Sequence, residues 1–100
     1  MIIFKTTTSA HHCLVEIELE GVVTPEALKS MAPPEVDPRK GVVLSGRAPI
    51  WLYGALIHEY HPTAWVATFD PRLGGAVVVM SHTPEIRVGD VLGLWRQPSL

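Results

Sequence analysis

Between residues 13 and 20, apolar and acidic positions alternate. Cys13, Val15, Ile17 and Leu19 fall in one phase; Glu16, Glu18 and Glu20 fall in the other. A period of two belongs to a strand with one buried and one wet face. Ahead of it, Met1–Lys5 is a shorter apolar strand, followed by the polar stretch Thr6–His12. Together they predict an antiparallel hairpin at one side of a sheet. Thr24-Pro25-Glu26 opens a helix, with a capping hydroxyl, a proline in the first turn and an acid that suits the dipole. That helix should end near Met31, before Pro33-Pro34, and the irregular stretch 32–41 leads into the centre of the chain.

From residue 42 the pattern changes. Val42, Val43 and Leu44 form an apolar, β-branched run that stops at Ser45-Gly46-Arg47. Pro49 suits a first helical turn, because its missing N–H has no intrahelical partner there. The helix should continue to about His61 and end at Pro62, which disfavours helical angles in the residue before it. Ala64–Phe69 is again apolar and of strand length, closed by Asp70-Pro71-Arg72. Strand, helix, strand is a βαβ unit with a right-handed crossover. Leu73-Gly74-Gly75 then turns into Ala76–Met80, which should return antiparallel, and Arg87–Asp90 turns into a last strand, Val91–Trp95. The tail Gln97–Leu100 is expected to be disordered. The predicted class is α/β: a single domain over residues 1–100, with a central parallel βαβ unit, antiparallel strands at the sides and two helices.

The helix from Pro49 to His61 is apolar nearly all round, through Ile50, Trp51, Leu52, Tyr53, Ala55, Leu56 and Ile57. Such a helix is normally buried on every side. One sheet in so small a domain cannot cover it, so part of it is expected to meet a second copy in a symmetric dimer.

Composition narrows the classes. A chain of 100 residues is one domain able to bury a single core. Its 8 basic against 10 acidic residues leave no general electrostatic footprint for duplex nucleic acid. One cysteine, Cys13, excludes an internal disulfide; it is in phase with the apolar side of its strand, reads as a core thiol, and fits a reducing cytoplasm. No apolar run approaches the roughly 18 residues of a membrane span.

Parallel strands place Ser45-Gly46-Arg47 and Asp70-Pro71-Arg72 on one rim, at carboxyl ends, where open α/β sheets bind ligands. The helix starting at Pro49 adds free N–H groups and partial positive charge at the same rim. Two arginines, glycine-containing turns and a helix start suit an anion, most simply a phosphate; turns and solvated arginines with no ligand are the plainer reading. The row Glu16, Glu18, Glu20 reads as a solvated strand face rather than a metal site, and Asp37, Arg39 and Lys40 as loop charges that could reach a phosphate. His58 and His61 are three apart, so His58-Glu59-Tyr60-His61 lacks the spacing of a zinc protease. His61 and His82 should lie at the opposite end of the domain, about 15–20 Å from the rim for a helix of this length.

The stretches GVVLSGRAPIWL, HEYHPTAWVATFDPRLGGAVVV and SHTPEIRVGDV resemble the small stand-alone CRISPR-associated ring nucleases of the Csx3 type. The resemblance is densest from Asp37 to Val91. It implies a Rossmann-like, CARF-related domain that binds cyclic tetra-adenylate and linearises it, with a divalent metal, usually manganese. It also implies dimers that sandwich the ring-shaped ligand, as a tetramer or filament, and a related trimming of adenosines from short RNA 3′ ends. Carried onto this sequence, Ser45, Gly46, Arg47, Pro49 and His82 would hold the ligand. His61, Asp70 and Arg72 would be catalytic, with Asp70 and His61 as metal ligands. A module that senses the cyclic nucleotide without cutting it is the alternative, and a purely structural subunit a third.

Overall fold

A computed structural model of the protein describes residues 1–93. Residues 94–100, and with them Trp95 and the tail from Gln97, lie outside the described residues.

The alternating segment forms β2 (His12–Leu19), and β1 (Ile2–Thr8) pairs with it antiparallel from Ile2↔Leu19 to Thr8↔Cys13. β1 runs three residues beyond the apolar stretch, because Thr6, Thr7 and Thr8 are β-branched and can stay extended on the exposed side of a ladder. Then come β3 (Gly41–Ser45), α1 (Ile50–Glu59) and β4 (Trp65–Asp70), with β3 and β4 parallel through Val42↔Val66, Val43↔Ala67 and Leu44↔Thr68. The expected βαβ unit is therefore present. β5 (Gly75–Ser81) returns antiparallel to β4 with a bulge at Val66/Ala67, and β6 (Val91–Leu92) pairs with β5.

Two parts of the expected architecture take a different form. The first helix is a 3-10 turn over Pro25–Lys29, without a side-chain cap from Thr24. Five residues ahead of Pro33-Pro34 cannot be extended into an α-helix that repays its nucleation. The second concerns the Rossmann-like expectation: the sheet is mixed with antiparallel flanks, as expected, but its order is β1-β2-β3-β4-β5-β6, with β2, β3 and β4 mutually parallel. This order has no reversal, so the rim is not a topological switch point of the doubly wound kind. Over the described residues the fold is a small α/β domain with a six-stranded mixed sheet and one α-helix.

β3 is the spine of the core. Val42 and Leu44 face Leu52, Leu56 and Tyr60 on the helix side, together with Cys13, Val15, Ile17 and Val66. Val43 faces the other way, with Leu14, Trp65, Ala67, Ala76 and Val78. Leu14 thus gives β2 a buried residue on the face expected to be wet, and Cys13 is a buried free thiol. On α1 the fully buried stripe is Leu52 and Leu56; Trp51, Tyr53 and Ile57 are half-buried, and Ile50 is 80 % exposed. Next to the spine, Trp65 lies directly over Gly41: a Cβ there would come within 1.9 Å of the indole. Only glycine lets that ring pack on the β3 backbone.

Candidate functional site: two poles of one sheet

Parallel β3 and β4 end together, which brings the Ser45-Gly46-Arg47 and Asp70-Pro71-Arg72 turns to one pole. Gly46 adopts φ +138°, and a Cβ on it would lie 2.3 Å from the main-chain oxygen of Ile17. Its glycine is therefore required by the exit of the chain over β2. Tyr53, one turn into α1, donates its hydroxyl to the Gly46 carbonyl at 2.7 Å and ties the turn to the helix. Burial pushes the Tyr53 phenol up from its usual range, so it remains a donor at neutral pH. Sequence reasoning missed this positioning residue; a tyrosine three to four residues inside a helix that follows a glycine turn was the available signal.

Ser45 is half-buried at the end of β3, and Arg47 is exposed, with no ion pair among the described residues. Pro49 is the residue before the first helical one, extended at φ −62° and ψ 153°, and caps α1 without a side-chain hydrogen bond. The first turn of α1 carries no acidic residue. Its N–H groups and the Arg47 guanidinium therefore face the rim without a neutralising carboxylate on that turn.

Asp70 closes the second turn. Its Oδ1 accepts the Arg72 N–H at 2.9 Å, its main-chain oxygen accepts from Leu73 and Gly74, and Arg72 Nη2 stands 3.5 Å from Oδ2. The main-chain N–H of Arg72, and after it the Arg72 guanidinium, hold the Asp70 carboxyl below its ordinary value, so it is ionised at neutral pH. Gly46 and Asp70 line the same shallow hollow beside Tyr53. The rim thus gathers Ser45, Gly46, Arg47, Pro49, Asp70 and Arg72.

The histidines lie at the other pole. His61 follows α1, and His82 follows β5, whose Ser81 pairs with Trp65 at the start of β4. His82 Nε2–H donates to the His61 carbonyl at 3.0 Å, and the two rings meet edge to face with centroids 5.0 Å apart. His61 shares a shallow hollow with His58 and Glu59. β4 separates His61 from Asp70 by its whole length, about 17 Å at 3.3 Å per residue. The two cannot ligate one metal ion within one chain, and no group of three or more His, Cys, Asp or Glu side chains among the described residues is placed to hold one.

The third functional-looking region lies on the sheet face away from α1, at the histidine pole. A cavity of about 410 Å³ there is lined in part by His12, Trp65, Arg39 and Lys40. The loop charges read from sequence are partly spent: Arg39 is paired with Asp37 through two nitrogens at 3.1 and 3.0 Å, and Lys40 donates to the Ser9 carbonyl at 2.7 Å.

The molecule is thus a small α/β protein with an anion-suited rim and a histidine pole at opposite ends of its parallel strands. A family model described as CRISPR-associated protein (Cas_csx3) matches residues 16–93. An uncharacterised protein of Aquifex aeolicus (strain VF5) is 57% identical over 83 residues, covering 79% of this chain and 75% of that protein. The chain belongs to the Cas_csx3 family of CRISPR-associated proteins.

Proposed function

We propose that this chain is a ring nuclease, a phosphodiesterase that binds cyclic tetra-adenylate and linearises it, so switching off type III CRISPR signalling in the cytoplasm. The observation that carries the reading is the rim itself. An Arg47 with no ion pair among the described residues, the open first turn of α1 and an ionised Asp70 beside Arg72 converge on one pole of a chain of this family. Arginine presents a planar fork matched to phosphate oxygens.

In this reading Ser45, Arg47 and the main chain at Gly46 and Pro49 bind and orient the phosphates and ribose of the ring. Arg72 is exposed and only loosely paired, so it can turn from Asp70 to a phosphoryl oxygen and offset the charge that grows there. His61, oriented by His82, holds or gives a proton at the reacting phosphodiester. Because His61 lies at the far pole, it must come from a second copy stacked pole to pole on the same ligand, in a tetramer built from two dimers or a longer filament. The dimer itself uses the half-buried flank of α1. The residues do not fit a manganese ion within one chain, so no step is routed through the metal. Trimming of short RNA 3′ ends would use the same groups.

Incubation with cyclic tetra-adenylate, with manganese and with chelator, followed by separation of products, tests the reading. Linear products are expected, and the comparison of manganese with chelator shows whether their formation needs a metal; no turnover under any condition would overturn the reading. A second reading, a sensor that holds the ring intact, is favoured by one observation: Asp70 is already occupied by its own turn and by Arg72. Intact ligand co-eluting with the protein would support it.

A further inference from the structure

The cavity on the sheet face away from α1 is lined by two buried residues whose rings each keep a polar atom without a hydrogen-bond partner among the described residues. His12 is 8 % exposed and Trp65 7 %. Ser9 Oγ meets His12 Nδ1 at 3.1 Å, yet His12 Nε2 has no hydrogen-bond partner among the described residues, and neither has the Trp65 indole N–H. Both residues line the cavity. Buried donors and acceptors are nearly always paired, with water or a ligand where the protein offers nothing. Val43, Ile86 and Leu92 make the apolar wall. At the edge, Lys40 spends one of its three N–H donors on Ser9, and Arg39 keeps donors beyond those given to Asp37. Glu85, whose carboxylate takes the Thr83 hydroxyl at 2.8 Å, also borders the cavity and disfavours a polyanion.

We propose that this cavity is a binding site for a small planar heteroaromatic anion of mononucleotide size, separate from the rim and from the His61–His82 pair. The ring sits against the apolar wall and pairs with the Trp65 N–H and His12 Nε2, while a single phosphoryl or carboxyl group meets Lys40. Its volume lies within the range of small-molecule sites, which combine apolar walls with a few placed polar groups. The inference does not depend on the nuclease reading.

The test is a titration of the full, ¹⁵N-labelled chain with 5′-AMP, adenosine and inorganic phosphate, following the indole N–H resonances. The Trp65 signal is assigned by substituting Trp51 and Trp95 with phenylalanine in turn. AMP should move the Trp65 signal saturably, adenosine should bind about tenfold more weakly, and Lys40→Ala should weaken AMP about tenfold, as for one charge-assisted hydrogen bond. A Trp65 signal unmoved by millimolar AMP would overturn the proposal, as would an equal response to phosphate alone or an unchanged affinity in folded Lys40→Ala protein. Displacement of AMP by cyclic tetra-adenylate would overturn the separateness of the site.

Discussion

His82 donates its Nε2–H to the main-chain oxygen of His61, with the two imidazoles edge to face. A carbonyl oxygen only accepts, so the neutral His82 ring carries its proton on Nε2 and leaves Nδ1 open. The contact fixes the segment that presents His61 after α1. His82→Ala should lower kcat for cyclic tetra-adenylate more than it raises KM, and cost about 1 kcal/mol or less in stability. Equal kcat in both proteins would remove His82 from the chemistry.

Separation of His61 from Asp70 by the length of β4 makes a mixing experiment decisive. His61→Ala and Asp70→Ala proteins should each be inactive, and a mixture of the two should regain part of the turnover. A mixture as inert as its components after subunit exchange would place the reaction within one chain.

Arg47 is the exposed rim cation without an ion pair among the described residues. Arg47→Ala should weaken binding of cyclic tetra-adenylate, measured calorimetrically in chelator, by roughly ten- to a hundredfold, the loss expected for hydrogen bonds to a charged group. Unaltered affinity would place the ligand elsewhere.

Gly46 at φ +138° leaves no room for a Cβ beside the Ile17 carbonyl. Gly46→Ala should therefore lose about 1–3 kcal/mol in urea unfolding. Tyr53→Phe, which removes only the hydroxyl bound to Gly46, should lose about 1 kcal/mol. A neutral Gly46→Ala would mean that the turn rearranges at little cost.

His12 supplies a pH dependence. Burial, and then the charge of His11, lower its pKa from the ordinary 6.5. In the window below 6.5 the unfolded chain binds this proton and the folded one does not, so stability is full above that window and falls as pH drops through it. Urea midpoints at pH 7.5 and 5.5 should differ more for the native chain than for His12→Gln. An identical difference would show that His12 does not titrate in this range.

Much of this was readable in the residues themselves. The two-residue period at Cys13–Leu19 and the strand–helix–strand run from Val42 to Phe69 are local patterns, and both appear where the pattern puts them. Which pole each turn occupies followed from parallel strands alone. The sheet order did not, because pairing of β2 with β3 across twenty-one intervening residues leaves no local trace. The packing of Trp65 on Gly41 is a contact between strands far apart in sequence. The Tyr53–Gly46 bond spans only seven residues and depends on where α1 starts. His12 is different. Extending the period of two by one residue pair from Leu14 places it on the reverse face of β2, so its burial was available from the pattern once that face was known to be covered.

The wide spacing of the two poles has a kinetic side. On the proposed reading an isolated copy carries only half of the machinery at each end and is inert by construction. Output per molecule should then fall on dilution and rise steeply with copy number, and each ring destroyed also removes the bridge that held its two copies together. Such a degrader would work hardest when both protein and messenger are plentiful, and would fall silent without any further signal as the messenger runs out.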